Sequence, residues 1–81
     1  MTIRVLFWSY FQERTGTASE TLEISEGSRV SEVLGEIHRR WPMLEPLKGC
    51  TLVAVGVDYA DPDRELKAGD EISLFPPVQG G

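Results

Sequence analysis

The chain reads as an α+β domain, with a mixed sheet carrying one main helix on one face. Three observations point there. Short strand-like runs stand near both ends, a single amphipathic helical pattern stands between them, and the whole chain is 81 residues long. A chain of this length buries only about 60% of its unfolded surface, so it holds one small core and no second domain.

Ile3 to Trp8 is rich in β-branched and aromatic residues and predicts a strand. Ile3, Val5 and Phe7 share one face; Arg4, Leu6 and Trp8 share the other, which starts charged and ends apolar. Ser9 to Arg14 fits one helical turn or a loop, closing at Thr15-Gly16-Thr17. Glu20 to Ile24 alternates and turns at Glu26-Gly27, so the first two strands predict a hairpin.

Ser28 to Trp41 is the clearest helix: Val30, Val33, Leu34, Ile37 and Trp41 form a stripe of helical period. Ser28 is the expected N-cap, Glu32 lies where the dipole favours an acid, and Arg39 and Arg40 lie at the favoured opposite end. Pro42 stops the helix. Gly35 costs up to ~1 kcal/mol relative to alanine inside a helix, a cost that close packing at that point could explain.

A loop with Pro46 and Gly49 follows, then Thr51 to Val57 as a buried strand weakened by Gly56. Asp58 to Asp63 is a turn region, Leu66 to Asp70 a tight turn, and Glu71 to Phe75 the last strand. Ile72 and Leu74 share one of its faces, Glu71, Ser73 and Phe75 the other. Pro76-Pro77 cannot continue a central strand, because proline donates no ladder hydrogen bond. The expected division is a folded domain over residues 1–75 and a flexible extended tail over 76–81. If the terminal strands lie side by side, the helical crossover makes them parallel. No second helix is foreseen for the other sheet face.

Composition narrows function by exclusion. Thirteen acids against eight bases give a net charge of −5, which argues against nucleic-acid binding. The longest apolar run, Leu52 to Val57, is far short of the ~20 residues that span a bilayer. Met1-Thr2-Ile3-Arg4 lacks a signal-peptide layout, so a cytoplasmic location is expected. One cysteine excludes an internal disulfide and a cysteine-rich zinc site. Cys50 reads as a small buried or half-buried residue, and His38 as a surface or boundary residue with no metal-site partners. Asp58, Asp61 and Asp63 read as a solvated turn rather than a calcium loop. No nucleophile pairs with a base, no metal site is expected, and no phosphate-cradling loop is present.

The C-terminus offers more. Six extended residues, 76–81, reach at most about 20 Å, enough to enter a deep pocket on another protein. The prolines stiffen the base of this tail, and Gly80 and Gly81, without Cβ atoms, can thread a narrow channel. A terminal carboxylate is a group that ATP can activate as an acyl adenylate. A frayed, inert end is the plain alternative.

The ending Leu66-Lys67-Ala68-Gly69-Asp70-Glu71-Ile72-Ser73-Leu74-Phe75-Pro76-Pro77-Val78-Gln79-Gly80-Gly81, with Ile3-Arg4-Val5-Leu6-Phe7 and Gly16-Thr17, resembles the small, sulfur-carrying subunit of molybdopterin synthase. The resemblance implies a ubiquitin-like β-grasp fold. It implies that an activating adenylyltransferase of ubiquitin-activating type consumes ATP to adenylate Gly81, with no cofactor bound by the carrier itself. A sulfur donor system then converts the adenylate to a thiocarboxylate. The tail enters the large synthase subunit, which holds the catalytic residues, and delivers sulfur to cyclic pyranopterin monophosphate in a heterotetramer. Gly81 would bear the thiocarboxylate, Gly80 would give slim access, and Phe75, Pro76, Pro77, Val78, Leu6 and Trp8 would meet the partners. A carrier serving thiamine, cysteine or tRNA thiolation, or a ubiquitin-like protein modifier, remains an alternative.

Overall fold

The computed structural model describes residues 1–76. Strands β1 (Thr2–Phe7), β2 (Ser19–Glu23), β3 (Leu52–Val55), β4 (Asp58–Tyr59) and β5 (Glu71–Phe75) form one five-stranded sheet in the order β2-β1-β5-β3-β4. Helices α1 (Tyr10–Thr15) and α2 (Val30–Arg40) and a 3-10 segment, Pro42–Cys50, complete the element order. β1 and β2 form the expected antiparallel hairpin, with Ile3 opposite Leu22 and Leu6 opposite Ser19. β1 and β5 lie side by side and parallel, with Val5 opposite Ile72. The α+β reading therefore stands, and β5 sits in the middle of the sheet, paired on its other edge with β3.

The core follows the alternation of the strands. Ile3, Val5, Phe7, Ile72 and Leu74 are buried on one sheet face, and Val30, Val33 and Ile37 of α2 pack into the same cluster. Each such side chain contributes about 1.5–3 kcal/mol on removal from water. Phe11 of α1 and Leu44 of the 3-10 segment enter that cluster too, so every helical element lies on this side. The ring of Trp41 meets Phe7 edge-on, centroids 5.0 Å apart, and anchors the end of α2 to β1.

Several boundaries differ from those expected, each for a local reason. The helix begins at Val30, not Ser28, and Arg29 is its N-cap. Ser28 cannot cap because its hydroxyl donates to Ser25 O at 2.6 Å, while its carbonyl accepts from Leu66 N at 2.8 Å. Glu32 still serves the helix start: its carboxylate accepts from the Arg29 backbone N–H at 3.0 Å. Helix α1 settles the choice at 9–14 in favour of a helix. The expected loop after Pro42 is instead a 3-10 helix, because Leu44 is fully buried and pulls the segment onto the core.

The third strand is shorter than read, ending at Val55, and a fourth strand occupies the start of the expected turn region. Gly56 explains both changes. Val55 pairs with Asp58 across a two-residue connection, and Gly56 takes φ 62°, as the first central position of a type II′ hairpin turn requires. Beyond β4 the turn reading holds, with the Asp63 N–H donating to the Asp61 carboxylate at 2.9 Å. Cys50 is exposed rather than buried or half-buried. Gly35 faces open space, with nothing within 4 Å of where a Cβ would stand, so close packing does not account for it.

Candidate functional site

The sheet face opposite the helices is uncovered, and its residues follow from the register. One row crosses all five strands: Ser19, Leu6, Ser73, Ala54 and Tyr59 stand opposite one another in turn. Ser73 and Ala54 are small and buried and form the floor of this row. The next row toward the end of β5 places Phe75 opposite Leu52. Trp8, just past β1, lies level with it, held by its N–H to Leu74 O at 3.1 Å. The row on the other side is polar, with Arg4 and Glu71 ion-paired at 3.8 Å. The face is thus apolar over one half and charged at its border.

The apolar half is substantially exposed. Trp8 is 50% exposed and Tyr59 72%, while Leu6, Leu52 and Phe75 are half-buried. Tyr59 stands edge-on to Phe75 at 6.1 Å, so the aromatic groups form one patch rather than scattered residues. Contiguous apolar surface with a polar rim is the usual mark of a protein-binding face.

The structure brings together the expected Leu6, Trp8 and Phe75, and it adds Tyr59, Leu52 and Ala54, which sequence reasoning did not select. The signal for Leu52 and Ala54 was period-two alternation, hidden inside a run that looked apolar throughout. Tyr59 was hidden among aspartates. Pro76, half-buried, follows directly on β5; Pro77, Val78, Gly80 and Gly81 lie outside the described residues. Because β5 is a central strand, the chain leaves the sheet at the middle of its end, beside Phe75. A partner that covers the apolar patch therefore meets the root of the tail.

The remaining candidates fall elsewhere. The Cys50 thiol donates to Leu47 O at 3.6 Å at the end of the 3-10 segment, and His38 is half-buried in the last turn of α2. Among the described residues no group of three or more histidine, cysteine, aspartate or glutamate side chains could hold a metal ion. No helix of the described residues is long and apolar enough to cross a membrane. The feature that stands out among the described side chains is the open apolar face around Trp8, Phe75 and Tyr59.

Comparison with known proteins agrees with this geometry. The family model described as the ThiS family matches residues 5–81. A Chlamydomonas reinhardtii protein named molybdopterin synthase sulfur carrier subunit is 32% identical over 83 residues, covering 100% of both chains. One of the same name from Arabidopsis thaliana is 30% identical over 79 residues, covering 98% of this chain and 82% of that one. Among solved structures, SAMP1 from Haloferax volcanii superposes with a TM-score of 0.89 at 24% identity, covering 100% of both chains. That likeness shows the fold, the ubiquitin-like β-grasp. A complex of subunits 1 and 2 of molybdopterin-converting factor from Helicobacter pylori contains a chain that matches with a TM-score of 0.74 at 26% identity, again covering 100% of both.

Proposed function

The chain belongs to the ThiS family, and on that premise we propose that it is the sulfur carrier subunit of a molybdopterin synthase. The observation that carries this reading is the end-to-end match to relatives bearing that name. The open apolar face beside the tail root supports it, because a carrier needs a docking surface and a reactive end and can leave catalysis to its partners.

In this reading the carboxylate of Gly81 attacks the α-phosphate of ATP on an activating adenylyltransferase, forming the glycyl adenylate and releasing pyrophosphate. Sulfur from a donor persulfide then replaces AMP, and a reductant releases the thiocarboxylate from the donor. Gly80 and Gly81 present no side chain to a narrow channel. The large subunit takes Leu6, Trp8, Phe75 and Tyr59 against its surface while Pro76, Pro77 and Val78 guide the tail inward, in the cytoplasm. The Helicobacter pylori complex of subunits 1 and 2 supports a large subunit as partner. The surplus of acids steers encounter with basic partner surfaces and sets rate more than identity.

The test is intact-mass measurement after incubation with the activating enzyme, ATP and a sulfur donor. Replacement of one oxygen by sulfur, mapped to Gly81 and lost on its deletion, is the expected result. An unchanged mass with a competent activating enzyme would overturn the reading. Lysine-linked conjugates without a thiocarboxylate would instead establish a protein modifier.

A further inference from the structure

A cavity of about 180 Å³ opens beside Trp8, at the β2 end of the apolar face. Leu6 and Ser19 wall it from the sheet, Gln12 from α1, and Ala18 from the segment entering β2. Leu6 and Ser19 stand directly opposite each other in the row that runs to Tyr59, so the cavity continues the docking face and is not a separate feature. Its lining is mainly apolar, from Leu6, Phe7, Trp8 and Ala18, with Arg4, Gln12 and Ser19 as the polar members.

The walls are held in place. Ala18 is fixed by its carbonyl, which accepts from Phe7 N at 2.9 Å. Trp8 is fixed by a turn in which its carbonyl accepts from Phe11 N at 3.0 Å. That turn holds Ser9 at φ 49° and ψ −121°, a conformation that a residue with a Cβ rarely adopts. Strain of this kind costs of order 1–3 kcal/mol and persists where the surroundings over-determine it. A preformed apolar recess needs little reordering to bind, and an apolar group that displaces loosely held water from it gains affinity.

We propose that this cavity is the socket for one large apolar side chain of the large synthase subunit, with Ala18 and Gln12 setting which side chain it admits. The proposal rests on the docking reading above and deepens it. A volume of about 180 Å³ suits a single leucine, methionine or phenylalanine side chain, and buried anchors of that kind carry most of the energy at protein interfaces. Tyr59 and Phe75 supply the flat part of the patch, whereas the socket fixes its register.

The experiment fills the socket from two independent walls. Ala18→Trp and Gln12→Trp, both at exposed positions, are titrated by calorimetry against the large subunit of the same organism, with Trp8→Ala as reference. Each filled variant is expected to bind about tenfold or more weakly, with an unchanged melting temperature. Should one variant fail to fold, the other decides. A folded filled variant that binds like the parent, while Trp8→Ala loses affinity, overturns the socket and leaves the docking reading standing. Parental affinity in all variants, Trp8→Ala included, overturns both.

Discussion

Tyr59 on the short edge strand stands edge-on to Phe75 on the central strand, with ring centroids 6.1 Å apart and planes at 88°. The contact ties the β3–β4 hairpin to the residue from which the tail departs. Edge-to-face pairs contribute about 0.5–1.5 kcal/mol beyond area burial, yet Tyr59 remains 72% exposed. Its ring is therefore both oriented by Phe75 and largely accessible.

Replacing Tyr59 by alanine is expected to weaken association with the large subunit by about tenfold, as for an aromatic side chain buried by a partner. Trp8→Ala and Phe75→Ala are expected to do the same. All three side chains lie on the uncovered face, so the circular dichroism spectrum should keep its folded form. Binding at parental strength in the three variants would remove the open face from the interface.

Gly35→Ala tests a different part of the molecule. The position is exposed in the middle of α2, with nothing within 4 Å of a built Cβ. Alanine removes the entropic penalty of glycine and meets no steric one, so the domain should gain about 0.5–1 kcal/mol. For a domain of this size that raises the melting midpoint by about 2–8 °C. A lower midpoint would show that the glycine is needed for packing after all.

Glu36 and Arg39 form a hydrogen-bonded ion pair on the exposed side of α2. The Arg39 hydrogen bond is the main reason the Glu36 carboxyl lies below the ordinary glutamate range, with the charges of Arg39 and Arg40 adding to it. A carboxyl lowered in the folded state stabilises it above the unfolded pKa, and that contribution is lost as pH falls through the folded value. Carbon-detected NMR titration should place the Glu36 midpoint below that of a free glutamate, and Arg39→Gln should move it up. The pair is exposed, so its effect on stability should be small and should shrink with salt.

The strands, the central helix and the buried faces were legible because period-two and period-3.6 alternation reports burial directly. Ile3, Val5, Phe7, Val30, Val33 and Ile37 occupy the positions their spacing required. What was illegible depended on contacts distant in sequence. Ser28 lost its cap role to Leu66 and Ser25, partners that no local pattern names. Leu44 gave no periodic signal in a segment with two prolines, and only its burial shows why that segment winds into a 3-10 helix. Half of the open apolar face was visible from the parity of β1 and β5. The other half needed the β3–β5 register, which brings Leu52 and Ala54 to the same side as Phe75.

Ser9 joins stability to function most directly. It precedes α1 with φ 49° and ψ −121° and makes no side-chain cap hydrogen bond, so its hydroxyl gives back nothing for the backbone strain. Glycine adopts that conformation freely, at the cost of a more flexible unfolded chain. Strain of about 1–3 kcal/mol outweighs a glycine penalty of about 0.5–1 kcal/mol, so Ser9→Gly should stabilise the domain by about 1 kcal/mol in urea titration. The same change loosens the turn that holds Trp8 against the cavity beside it. Association with the large subunit should therefore weaken modestly, through the entropy of reordering Trp8 on binding. A variant that is less stable than the parent would show that the serine side chain makes an interaction worth more than the strain it carries.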